Sequence, residues 1–233
     1  MTLTKVTGTI IIMNSHKKVL VLFSGGRDSS SATIEMVLAG YNVSLFTYQA
    51  GLSELTGPNG DSAPDIRHKE LASVFPDKID QKRIIEGNTY LIRKLAIEKT
   101  NTTHVVYPIA LALAVHSSAI LYCIKNGIRD IACGYSGYQA TEDRYIEQRS
   151  DFVELAKVFL KEYGITYHTP VIQKTKAEIM DTLEKHGVSS NSLENKSIFG
   201  GIPFEINNSL EFWNSSIPLC REYIAFMSSS FTK

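Results

Sequence analysis

The sequence predicts an α/β protein built on a doubly wound parallel sheet, with an irregular or helical extension at its C-terminal end. Three observations predict it. Strand-like and helix-like segments alternate through the first three quarters of the chain, the pattern of a parallel sheet covered on both faces. Gly40, Gly127, Gly164 and Gly187 each follow a helical pattern where a left-handed C-terminal residue is wanted. Ser24-Gly25-Gly26-Arg27-Asp28-Ser29 then supplies a tight glycine turn between a strand and a helix. A length of 233 residues suits one such domain, over residues 1–187, followed by an extension, 188–233, packed on that domain or on a dimer partner.

In order, the apolar stretch from Val6 to Met13 is too short to span a membrane and reads as an added strand over 7–13. Val19 to Phe23 is an apolar run of high strand propensity, and a helix over 30–39 follows, stopped by Gly40. A second strand is expected over 43–48. Residues 52–64, rich in Gly, Pro, Ser and Asp, read as a loop and candidate lid. A helix over 65–75, a strand over 79–85 and a helix over 88–98 come next. The longest apolar run, 109–124, is broken by His116, Ser117 and Ser118 and reads as a buried helix over 109–126, not a membrane span. A strand over 130–133, a helix over 150–163, a short strand over 166–169 and a helix over 174–186 complete the alternation. Beyond Gly187 the pattern fails: 189–216 is rich in Asn, Ser and Gly and is expected to be irregular, folded over the site or into a dimer contact.

Ligands of such sheets sit outside the carboxyl ends of the strands, where strand order reverses. That places the loops after Phe23, Tyr48 and Cys133 around one crevice. Gly25 and Gly26 let the backbone approach a phosphate, and the first N–H groups of the following helix point at it with the helix dipole behind them. Ser24, Ser29 and Ser30 add hydroxyl donors, and Asp28 suits a divalent cation against the phosphates. A lone Gly-Gly pair would be only a turn; the flanking Ser and Asp-Ser in a strand–helix frame favour nucleotide. Gly134 opens a second segment that runs through a polar stretch, 139–149, into the helix at Ser150. Its Glu142, Asp143, Arg144, Glu147 and Arg149 offer carboxylates for a metal and guanidinium groups for phosphate, or form a solvated charged loop.

Lys plus Arg equals Asp plus Glu at 24 each, so overall charge indicates neither nucleic acid nor membrane as a partner. Cys123, Cys133 and Cys220 are widely spaced and odd in number, which points to a reducing, cytoplasmic setting rather than a disulfide framework. No His lies at metal-ligand spacing from another His or Cys, and Cys133, at a strand end, reads as a small buried hydrophobe before a nucleophile.

The stretch Ser24 to Ser29 resembles the S-G-G-x-D-S signature of the PP-loop ATP pyrophosphatase superfamily, matched without a gap. The resemblance implies ATP held on a doubly wound sheet and cleaved between its α and β phosphates. A substrate oxygen is adenylated and then displaced by a nitrogen or sulfur nucleophile. Tyr145, Glu147, Arg149 and Phe152 match the Tyr, acidic, Arg and Phe positions of G-Y-P-D-C-R-x-x-F in one branch, the 7-cyano-7-deazaguanine synthases. Thr169-Pro170 and Lys174-Thr175-Lys176-Ala177-Glu178-Ile179 resemble that branch's T-P and K-x-E segments. The resemblance spans about 19–187 and implies an AMP-forming, C–N bond-forming ligase acting on a small heterocyclic carboxylate or amide with ammonia, ATP and Mg²⁺. It assigns catalytic roles to Asp28, Glu147, Arg149 and Lys176. Nucleotide binding falls to Phe23, Ser24, Gly25, Gly26, Asp28, Ser29, Ser30, Tyr48 and Gly134, with Asp28 on the metal.

The sequence departs from that branch in three places. The branch carries a four-cysteine zinc site near its C-terminus, and the tail here has only Cys220, so no zinc site is expected. Its P-G-R-N reads here as Pro108-Ile109-Ala110-Leu111, and its F-x-Y-G-Q as Phe46-Thr47-Tyr48-Gln49-Ala50. These departures leave a second reading, adenylation of a different acceptor such as a protein terminus or nucleic-acid base, and a third, a nucleotide-binding module without turnover.

Overall fold

Lys18–Leu22 (β1), Asn42–Tyr48 (β2), Ile84–Glu86 (β3), Asp130–Cys133 (β4) and Thr166–His168 (β5) form one sheet in the order β3-β2-β1-β4-β5. Every pairing is parallel. The α-helices are α1 Arg27–Leu38, α2 Ala63–Val74, α3 Thr89–Ile92, which runs on as a π-helix over Arg93–Ile97, α4 Tyr107–Asn126, α5 Gly137–Ala140, α6 Ser150–Lys161, α7 Lys176–Lys185 and α8 Ile206–Ser228, with 3-10 turns over Asp143–Gln148 and Ser229–Thr232. The computed structural model describes residues 17–49, 62–87, 89–98, 106–140, 143–193 and 206–232. The strand expected over 7–13 and the body of the loop at 52–64 lie outside them.

Strand order reverses between β1 and β4, because β2 and β3 lie to one side of β1 and the later strands to the other. Leu22 is level with both Phe46 and Cys133, so the carboxyl ends of β1, β2 and β4 open at the same height. Alternation along the strands divides the core in two. Val19, Val21, Phe23, Val43 and Leu45 face Ile34 and Val37 of α1, Leu71 of α2 and Leu183 of α7. Leu20, Phe46, Ile131 and Tyr167 face the other layer, made by α3, α4, α6 and α8.

Helix α4 is long and apolar enough to cross a membrane by composition, yet 72% of its apolar window is buried inside the protein. It is a core helix, covered by the sheet on one side and α8 on the other. His116 sits in it with one ring nitrogen bonded to the Tyr167 hydroxyl at 2.9 Å. Burial holds that imidazole down to about 4, so it is neutral at physiological pH.

Four elements differ from the expectation. Helix α1 begins at Arg27, not at 30, with Gly26 as its N-cap, so Asp28 lies in the first turn. The strand expected over 79–85 is a single bridge, Val43 to Ile79, followed by β3; Asp80, Gln81, Lys82 and Arg83 between them are too polar for a buried run. Helix α7 starts at Lys176 behind a capping box of Thr175 and Glu178, which leaves Lys174 outside, paired with Glu35 of α1. The tail read as irregular through 216 is helical from Ile206 onward. Phe212, Trp213, Ile217, Cys220 and Ile224 form its buried stripe at helical spacing.

Candidate active site

The glycine turn sits at the switch point. Phe23 extends β1 by one bond, its N–H donating to Phe46 O at 2.7 Å, while the Thr47 hydroxyl donates to Phe23 O at 2.6 Å. The chain then turns through Gly25, which has a φ of +77° that side chains rarely adopt. A Cβ there would lie 2.5 Å from Pro64 N, so Gly25 also lets the start of α2 close on the turn. Gly26 is different. Its φ is −73°, and a Cβ would meet only the Ser24 hydroxyl, at 3.3 Å. The third glycine, Gly134 at the end of β4, lies where a Cβ would be 2.4 Å from Ser29 N, so the loop after β4 presses on the first turn of α1.

The N–H groups of Arg27, Asp28 and Ser29 have no carbonyl one turn earlier to bond, as at any helix start. The Ser24 and Ser29 hydroxyls lie 3.2 Å apart at the turn, and the Ser29 hydroxyl also lies 3.2 Å from Gly26 O, a longer bond than that of Ser30. Ser30 is fully buried and its hydroxyl donates to Gly26 O at 2.7 Å, so that hydroxyl braces the turn and does not face a ligand.

Asp28 is 7% exposed. Its Oδ2 accepts from the Tyr138 hydroxyl at 3.2 Å and from Gln139 Nε2 at 3.4 Å, whereas its Oδ1 is buried with no partner. Burial raises this carboxyl above its usual range, with the hydroxyls of Tyr138 and Ser136, its own backbone N–H and the Arg27 charge opposing the shift. A carboxylate oxygen without a partner, in the first turn of a helix that begins at a glycine N-cap, fits a divalent cation.

Tyr138, Gln139 and Gln148 are members of this site that sequence reasoning passed over. Their segment was expected to act through its charged residues, and two uncharged amides carry no such signal. Arg149 is at the N-cap of α6 and pairs with Asp151 at 3.1 Å, half-exposed. Glu147 precedes Gln148 but turns its carboxyl inward: Oε2 is sealed from solvent without a partner, and burial pushes the group up to about 7. The Tyr135 phenol, pushed up first by burial, feels the Glu147 charge as well. Lys176 is exposed at the start of α7, which packs on α1. Tyr48 is half-buried at the end of β2. Burial raises the Cys133 thiol to about 11, which leaves it protonated and a poor nucleophile at neutral pH.

The parallel sheet, its reversal between β1 and β4 and the Ser-Gly-Gly-Arg-Asp-Ser turn at that point define a PP-loop protein of the adenine nucleotide alpha hydrolase fold. Solved structures of the same fold include a 4-thiouridine synthetase–RNA complex with bound ATP (14% identity, 92% of this chain and 54% of that one, TM-score 0.58). NMN synthetase from Francisella tularensis is another (14% identity, 92% and 84%, TM-score 0.51). The model of the family described as "Queuosine biosynthesis protein QueC" matches residues 18–195, and the chain belongs to that family. It is similar to a 7-cyano-7-deazaguanine synthase of Hydrogenovibrio crunogenus, 25% identical over 186 residues, covering 74% of this chain and 78% of that protein. It is similar also to a probable tRNA sulfurtransferase of Saccharolobus solfataricus, 26% identical over 182 residues and 76% of this chain. The match spans only 43% of that longer protein.

Proposed function

We propose that this protein is an ATP-dependent, AMP-forming enzyme that activates a carboxylate or amide oxygen of a small heterocycle for attack by ammonia, in the manner of 7-deazaguanine nitrile formation. One observation carries the reading. Asp28, nearly buried, keeps one carboxylate oxygen without a partner in the first turn of α1, between the N-cap Gly26 and the close approach of Gly134. Bound ATP would supply an electrophilic α phosphorus and pyrophosphate as the leaving group. The first-turn N–H groups and the Ser24 and Ser29 hydroxyls would hold phosphate oxygens, and Asp28 Oδ1 would hold Mg²⁺, which neutralises charge developing on the departing group. Glu147, the acidic position of the branch's motif, is proposed to serve the acceptor side, with burial pushing its carboxyl up to about 7. Arg149 and Lys176 are proposed to meet anionic groups there.

The similarity to a tRNA sulfurtransferase supports a second reading, thiolation of a nucleic-acid base. Against it, charge is balanced over the chain, and all three cysteines are buried, so any sulfur would have to come from another donor. Protein incubated with ATP, Mg²⁺, ¹⁵N-ammonium and 7-carboxy-7-deazaguanine, followed by mass spectrometry, tests the first reading. We expect a ¹⁵N-labelled amide or nitrile. Formation of AMP without label in this acceptor, together with sulfur incorporation into RNA from added sulfide, would replace it with the second.

A further inference from the structure

Two buried glutamines join the segment before α6 to the nucleotide turn, and one end of that link fixes its direction. Gln148, 7% exposed, accepts the backbone N–H of Ser136 on its Oε1 at 3.0 Å and donates from Nε2 to Gln139 Oε1 at 2.9 Å. Gln139, 9% exposed, donates from its own Nε2 to Asp28 Oδ2. The oxygen and nitrogen of an amide are ordinarily interchangeable by a flip, so a bond between two glutamines has no inherent direction. Here it has one. A backbone N–H can only donate, so Ser136 holds the Gln148 oxygen toward itself and turns the Gln148 nitrogen to Gln139. Gln139 must then present its oxygen to Gln148 and its nitrogen to Asp28. The chain ends on a carboxylate, which accepts.

Two donors, from Gln139 and Tyr138, thus converge on Oδ2, and Oδ1 is the oxygen left without a partner. We propose that Gln139 and Gln148 are positioning residues that orient Asp28 for its metal, tying the segment 143–149 to the nucleotide turn. This rests on the nucleotide reading above. Without the relay the carboxylate could rotate and divide its two oxygens between Tyr138 and the metal, and metal-assisted binding would weaken.

The test exploits direction. In Gln148→Glu the shape is kept and so is the acceptor for Ser136, but the donor facing Gln139 becomes an acceptor. Gln139 then flips to serve the new carboxylate and turns its oxygen on Asp28. By calorimetry, wild-type protein should bind ATP more tightly with Mg²⁺ than without. We expect Gln148→Glu to lose at least about tenfold of the affinity for ATP with Mg²⁺, the scale of a hydrogen bond to a charged group, while affinity without metal stays within about twofold. Gln139→Met should reproduce the loss, and adding Gln148→Glu to it should cost less than about twofold more, because the two act through one link. A structural role alone would lower both affinities together, and the melting temperature with them. Should Gln148→Glu fail to fold, Gln139→Met decides. Unchanged metal dependence in Gln139→Met overturns the proposal, while failure of the wild type to bind ATP at all removes the nucleotide reading and the relay together.

Discussion

Gly25 and Gly26 are neighbours with separate physical tasks, and the difference can be measured. Gly25 is needed by the fold: any side chain there would adopt a φ of +77° and run into the start of α2. Gly26 has ordinary backbone angles, and a Cβ there would meet only the Ser24 hydroxyl, at 3.3 Å, which need shift by no more than a few tenths of an ångström, so the fold tolerates a side chain that a bound phosphate would not. Gly26→Val should therefore melt within a few degrees of wild type yet show no calorimetric ATP binding, and wild-type affinity in that variant would remove the phosphate site from this turn. Glu147 offers a second check. Its folded carboxyl titrates near 7, against a usual value of 4.5. Between those values the folded protein keeps a proton that the unfolded chain has released, so stability falls as pH rises from about 4.5 to about 7 and is level above. Glu147→Gln should flatten that slope and, at pH 8, raise stability by up to about 3 kcal/mol in urea titrations. If Glu147 serves the nucleophile, turnover should fall by about a hundredfold in the same variant. A variant less stable than wild type at pH 8 would contradict the burial argument. The turn residues Ser24 to Ser29 were legible because a strand-to-helix turn against phosphate restricts residue type. Gln139 and Gln148 were not, because an amide's role depends on the direction that a neighbour in space imposes.

Most element types could be read from the chain, with errors where tertiary context overrides composition. The strand expected over 79–85 fails at Gln81 to Arg83: the Asp80 N–H still donates to Val43 O at 3.0 Å, the backbone then leaves the ladder, and it rejoins β2 at β3. In α8 the misleading signals were Asn207, Asn208, the run Asn214-Ser215-Ser216 and Pro218 inside the helix. Each is unfavourable to a helix in isolation. Burial of the stripe from Phe212 to Ile224 outweighs them, and Trp213 is its anchor, 2% exposed and edge-on to both His116 and Phe152. Trp213→Ala should cost about 3–5 kcal/mol of global stability, read as a single cooperative shift in chemical denaturation. A loss under about 1 kcal/mol, or a separate early transition, would mean that α8 is an appendage and not part of the core.

For the whole molecule, the reversal of strand order sets the position of everything functional. It brings the turn after β1 and the segment after β4 into contact through Gly134 and Ser29, although more than a hundred residues separate them in sequence. The alternation of elements predicted that the loops after β1 and β4 would meet; the sequence alone did not show how the tail is held. Helix α8 packs on α4 with Cys220 inside its buried stripe, and among the described residues no three His, Cys, Asp or Glu side chains converge as metal ligands. We expect elemental analysis of protein purified without chelator to find no stoichiometric zinc, and one tightly held zinc per chain would contradict this. Phe226, at 77% exposed, leaves an apolar end on α8 beside Met227. We propose that it serves a homodimer, which sedimentation should detect and Phe226→Glu should weaken. The central claim concerns where ATP is cut. Turnover with Mg²⁺ and an accepted substrate, resolved by anion-exchange chromatography, should yield AMP and pyrophosphate in equal amounts, and should be nearly lost in Asp28→Asn; ADP and phosphate as the main products would contradict the account.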